Sequence, residues 1–156
     1  MIRNPIALAL LSLTLMMNAS AAEPEFVPPQ RTDKCPVCGM FVYKYPQWVA
    51  EILYQDGSYA VFDGSKDMFK YYFAIERYEP AQHREDIAAI YVTEYYSNRI
   101  MRAEQLYFVL GSDVLGPMGH EFVPVKGKEA ADAFMLDHGG NRILRFDEIG
   151  STDIPD

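Results

Sequence analysis

Hydrophobic residues fall in short runs along this chain, separated by glycine, proline and charge, and their spacing alternates between strand and helix periods. Residues 48–54, "WVAEILY", have strand composition. The "QDGS" that follows predicts a hairpin turn, because glycine takes positive φ without strain. Residues 59–62, "YAVF", are the returning strand. In "DGSKDMFKYYFAI", Met68, Phe69, Tyr72 and Phe73 share one helical face, and Asp63 or Ser65 is placed to cap the helix by accepting orphan backbone N–H bonds. The polar stretch 76–86 reads as a connecting loop, followed by strands over 87–93 and 106–110. "GSDVLGPMGH", residues 111–120, is a Gly/Pro loop leading into the strand "EFVPV". A last helix is predicted in "KEAADAFMLDH", with Ala130, Ala131, Phe134 and Met135 on one face and Gly139-Gly140 ending it. "RILRF", residues 142–146, is a final short strand.

An internal echo sets the architecture. "YAVFDGSKDMFKYY" and "EFVPVKGKEAADAFML" both run strand, glycine turn, helix with a central Phe, and each follows an earlier strand. The prediction is an α+β fold of two tandem ββα-type modules, about 35–80 and 87–150, in one compact domain spanning 35–150. Three prolines in "EPEFVPPQRTDK" make residues 23–34 an extended lead-in, and residues 151–156 read as a flexible tail.

The chain begins as an export signal does. Arg3 gives a positive start, residues 6–17 are apolar over a stretch too short to span a membrane, and Ala19-Ser20-Ala21 fits an A-x-A cleavage site. Residues 1–22 are therefore expected to be a cleaved signal peptide, giving a periplasmic protein in a Gram-negative cell. No cysteine stands at the cleavage site, so neither a lipid attachment nor a stable membrane anchor is expected. Cleavage removes Arg3 from the 14 basic residues and none of the 22 acidic ones, leaving a formal charge of −9. Such a surface repels nucleic acid and anionic lipid, which are bound through Lys and Arg.

Cys35 and Cys38, in "KCPVCGMF", are the only cysteines. A disulfide between them would close a tiny loop and stabilise little. A redox dithiol usually gains its low pKa at a helix N-terminus, and "GMFVYKYPQW" promises no helix. Structural zinc commonly asks for two more Cys or His, and His83, His120 and His138 form no such pair, although a mixed site stays open. Copper(I) prefers thiolate and thioether sulfur in small number, and Cys35, Cys38 and Met40 offer three sulfurs within six residues. A second cluster is "GPMGHE", where Met118 and His120 sit on a Gly/Pro loop rather than on a core-facing element. Met68, Met101 and Met135 read as core, His138 as a helix-end residue and His83 as solvated. Classical hydrolase chemistry has little support, for no Ser/His/Asp spacing or nucleophile elbow stands out.

"CPVCGMFV", followed by a strand, an Asp-Gly hairpin, "VFDGSKDMFKYY" and "GPMGHEFVPV", resembles the NosL family of nitrous oxide reductase accessory proteins over roughly residues 33–148. The resemblance implies a periplasmic copper(I) metallochaperone, not an enzyme, serving assembly of the copper–sulfide centre of nitrous oxide reductase. It also implies two similar ββα modules related to part of organomercurial lyase. The implied partners are apo-nitrous oxide reductase, its membrane maturation complex or another cuproenzyme. By position, the family's cysteine maps to Cys38, with Cys35 as an additional thiol, and its later methionine maps to Met118, with His120 after it. The expected metal residues are thus Cys35, Cys38, Met40, Met118 and His120. Many family members carry a cysteine at the signal cleavage site; this chain does not, which weakens the assignment of client more than that of metal. The rival readings are a thiol–disulfide oxidoreductase using Cys35 and Cys38, and a YHS-type zinc or heavy-metal binding module.

Overall fold

Strands β1 (Ala50–Tyr54) and β2 (Tyr59–Phe62) form the expected hairpin, closed by Gly57 at φ 84°. The computed structural model that shows this describes residues 24–155, so the signal peptide expected over 1–22 lies outside the described residues. β1 also pairs with β3 (Ile87–Thr93), which pairs in turn with β4 (Ile100–Arg102), giving an antiparallel sheet in the order β2-β1-β3-β4. The sequence echo divides the modules at residue 87 and so assigns β3 to the second; hydrogen bonding puts it in the first sheet. A strand's apolar run announces that it is buried but not which neighbour it pairs with.

Between β2 and β3 the chain forms α1 (Ser65–Tyr72) and then α2 (Ile75–Tyr78), a short helix in the stretch read as loop. Neither Asp63 nor Ser65 caps α1; the N-cap position is Gly64, with no side-chain cap of its own. Met68 and Phe69 are fully buried as expected, and so is Tyr71, whose ring packs against Phe62 and whose hydroxyl accepts from Tyr54 at 2.9 Å.

The second sheet is β5 (Tyr107–Leu110) flanked by β8 (Val123–Val125) and β9 (Arg142–Arg145), with α3 (Lys128–Asp137) across one face. Between β5 and β8, the loop holds a two-residue ladder of β6 (Leu115–Gly116) and β7 (Gly119–His120), with Met118 in its turn. Side chains alternate across a strand, and on β5 the alternation separates two cores. Phe108 and Leu110, with Leu106 just before the strand, join the main cluster, while Val109 joins Val123, Val125, Ala131 and Phe134 under α3. The modules meet at Phe69 of α1, whose ring contacts Phe108, Phe122 and Phe146 at centroid distances of 5.3, 4.7 and 5.6 Å.

The ends are tied down. Residues 151–153 form a 3-10 turn in which Asp153 accepts from the Gly150 N–H and pairs with Arg142, and Ile154 packs on the main core. The segment expected to be a flexible tail is thus anchored through residue 154. At the other end, Phe26 meets the Tyr91 ring edge-on, and the Tyr91 hydroxyl donates to the Pro24 carbonyl. The Val27 N–H donates to the carboxylate of Glu51, a fully buried residue of β1.

Burial pushes the Glu51 carboxyl up to about 7, against the pull of the Val27 N–H. In the unfolded chain it returns to its ordinary 4.5. Between those values the folded state holds a proton the unfolded state lacks, so this group's contribution to stability falls as pH rises. Glu51→Gln keeps an acceptor for Val27 without the titration. The melting temperature of the variant, relative to wild type, should therefore climb from about pH 4.5 to about pH 7 and then level off. A constant difference across that range would show that Glu51 does not titrate in this way.

Candidate metal centre

The CxxC stretch folds into a tight knuckle. Lys34 and Phe41 form an isolated antiparallel bridge, the Cys35 N–H donates to the Met40 carbonyl at 2.9 Å, and the Gly39 N–H donates to the Cys35 carbonyl at 2.8 Å. Gly39 closes the turn at φ 77°, a conformation that favours glycine. Backbone N–H groups of Val37 and Cys38 turn toward the Cys35 sulfur, and that of Met40 toward the Cys38 sulfur. Cys35 is buried at the base and Cys38 half-buried at the lip; both are free thiols.

Opposite the knuckle stands the start of α1. Asp63 and Asp67 lie four residues apart, about one helical turn, and both are buried. The Cys35 thiol donates to Asp67 Oδ2 at 3.4 Å, and the Cys38 thiol donates to Asp63 Oδ1 at 3.1 Å. One donor atom from each of the four residues lies within 4.8 Å of every other. Asp63 Oδ2 is buried with no hydrogen-bond partner among the described residues. A buried carboxylate oxygen without a donor is costly, and a cation in the cluster would satisfy it.

The electrostatics agree. Burial pushes the Cys38 thiol up to about 12, with the hydrogen bond to Asp63 adding to the rise and the Met40 N–H opposing it. Burial also raises Cys35, with the Asp63 and Asp67 charges contributing in the same sense. Two thiols beside two acidic residues hold their protons until a positive ion replaces them. This is the reverse of the electropositive setting that activates a catalytic cysteine.

The two cysteines are thus brought together as expected, and the other expected residues surround them unevenly. Met40 is part-buried in the knuckle beside Cys38. Met118 is 41% exposed on the β6–β7 turn, and its carbonyl accepts from the Lys66 ammonium at 2.6 Å, which ties that turn to the first turn of α1. His120 is exposed on β7, opposite Leu115, and does not join the four-donor cluster. His138 pairs with Asp113 at 3.1 Å and lies over Phe134, away from the knuckle; His83 is exposed beside Glu76. Counting only Cys and His as zinc partners left the motif two ligands short, and Asp63 and Asp67 make up the number. Their signal was present in "DGSKD", with acids one turn apart at a helix start.

The sequence profile of the NosL family matches residues 26–154. The chain belongs to the NosL family. Its NosL fold is also that of the copper chaperone NosL from Shewanella denitrificans, whose crystal structure it matches with a TM-score of 0.70 at 23% identity, covering 82% of this chain and 97% of that one. The solution structure of apo-NosL from Achromobacter cycloclastes matches at 25% identity and a TM-score of 0.48, covering 67% of this chain and 87% of the other. A search of curated proteins finds no match.

The raised thiols give a check on this NosL site. With Cys38 moved from an ordinary 9.0 to about 12, its thiolate fraction near neutral pH falls about a thousandfold. Iodoacetamide should therefore alkylate Cys38 of the metal-free protein far more slowly than a free thiol. Asp63→Asn should speed the reaction by removing the acidic neighbour. Alkylation at the free-thiol rate would contradict this account of the site.

Proposed function

We propose that this NosL-family protein is a periplasmic copper(I) carrier, not an enzyme, that delivers copper during assembly of the copper–sulfide centre of nitrous oxide reductase. The observation that carries the reading is a pair of thiols, one buried and one half-buried, held protonated beside an unsatisfied carboxylate oxygen. Copper(I) enters as cargo by replacing thiol protons. Cys38 at the lip is the principal ligand and Cys35 at the base the second. Met118, on an exposed turn tied to the same helix start, supplies a thioether; Met40 and His120 are neighbours that bind or orient. A soft ion suits those sulfurs, and ligands carried on loops let an acceptor replace them one at a time. Apo-nitrous oxide reductase or its maturation complex is the client the family points to, with another cuproenzyme as the alternative. Likeness in fold to a protein described as a copper chaperone supports the carrier role.

Native mass spectrometry after anaerobic copper(I) addition tests the site. Wild type should take up copper, Cys38→Ser should lose most of the affinity, and Met118→Leu should lose about tenfold to a hundredfold. Absence of uptake by wild type, or equal binding by both variants, would defeat the assignment.

A second reading is favoured by one observation, the two carboxylates. Two thiolates and two carboxylates make a four-donor S2O2 set that suits zinc or another divalent ion. Asp63→Asn and Asp67→Asn separate the readings. If copper(I) is the cargo, the variants should keep copper binding while zinc binding falls, and wild type should hold copper(I) against zinc(II) in competition; preference of wild type for zinc(II) would favour the divalent ion.

A further inference from the structure

Glu121 is outside the donor cluster, yet it is a carboxylate only 3% exposed, in the seam between the modules. Its Oε2 accepts the backbone N–H of Lys66 at 2.7 Å. Lys66 is the second residue of α1, and first-turn N–H groups have no acceptor within their own helix. The N-cap, Gly64, has no side chain to supply one. A residue from the second module therefore performs the cap that Asp63 and Ser65 do not.

Room for it is provided on both sides by glycine. A Cβ on Gly64 would stand 2.2 Å from Glu121 Oε1, and one on Gly116 would stand 2.4 Å from Glu121 Cγ. The φ of Gly64 is −177°, which any residue adopts, so it is close approach to the Glu121 carboxylate, and not backbone strain, that favours glycine there. Lys66 supplies a further link, because its side chain, itself buried, turns its ammonium onto the Met118 carbonyl. One residue of α1 thus binds both ends of segment 118–121, and its neighbour in sequence is Asp67 of the metal cluster.

We propose that Glu121, acting through Lys66, is a positioning residue that fixes the first turn of α1, with Asp63 and Asp67, against the segment bearing Met118 and His120. Without it the Lys66 N–H loses the Glu121 carboxylate as acceptor, and the sulfur-bearing turn is no longer held in register with the knuckle's acidic wall. Its copper readout rests on the function proposed above; its other two readouts need no metal.

The test compares Glu121→Ala and Glu121→Gln with Phe134→Leu, a cavity variant in the second module's core, with denaturant added to match stabilities. In metal-free protein, Glu121→Ala should speed hydrogen exchange at the Lys66 amide by about tenfold or more. It should also move the Met118 methyl resonance toward its unfolded position. Glu121→Gln retains an acceptor and should restore both signals. In the loaded protein, Glu121→Ala should weaken copper(I) binding by about tenfold, with Phe134→Leu leaving all three readouts near wild type. Unchanged Lys66 exchange and Met118 resonance in Glu121→Ala would overturn the proposal, as would equal changes in Phe134→Leu. Should Glu121→Ala fail to fold, Lys66→Met serves instead: it leaves the backbone cap intact and should shift the Met118 resonance, and an unshifted resonance overturns the proposal. If wild type binds no copper(I), the carrier reading fails while the metal-free readouts still decide this one.

Discussion

Burial of two carboxylates beside two sulfurs is the constraint from which the rest of this molecule follows. Asp63 and Asp67 lie in a region from which water is largely removed, where an ionised group is unfavourable unless donors or a cation face it. Each meets one thiol, and Asp63 keeps an oxygen with nothing to bind among the described residues. The protein's own groups thus leave the cluster incompletely satisfied, which favours admission of a positive ion. Burial of the sulfurs, with the neighbouring acids adding to it, keeps both thiols protonated near neutral pH.

The fold supplies the arrangement by using two modules for different parts of it. The first contributes the knuckle and the helix start, joined by the hairpin of β1 and β2. The second contributes the cap of that helix and the exposed turn with Met118. Phe69, set among Phe108, Phe122 and Phe146, keeps the two in contact. The likeness to the S. denitrificans structure extends over 97% of that chain, so the fold is shared whole and not as a fragment.

Much of this was legible beforehand because its signals are local. The Asp-Gly hairpin, the helix ended by Gly139 and the buried Met68 and Phe69 follow from turn chemistry and periodicity. The motif pair "CPVCGM" and "GPMGHE" identified the two loops. What could not be read were relations between distant residues. Asp63 looked like a helix cap because its own neighbourhood favours that role, and only folding turns it toward Cys38. Glu121 looked like the first residue of a strand, and its partner lies 55 positions away. β3 carried the strand signal without its partner's address. The last residues seemed a tail because a short polar segment gives no sign that Arg142 will hold it.

The alternation along β5 has a consequence for the origin and handling of the molecule. Leu106, Phe108 and Leu110 are lodged in one core while Val109, between them, is lodged in the other. A strand shared in this manner is a weld: neither half can be cut away without stripping a face from the other. The two ββα units therefore share a structural wall, and a cut on either side of β5 would expose apolar surface of the other unit.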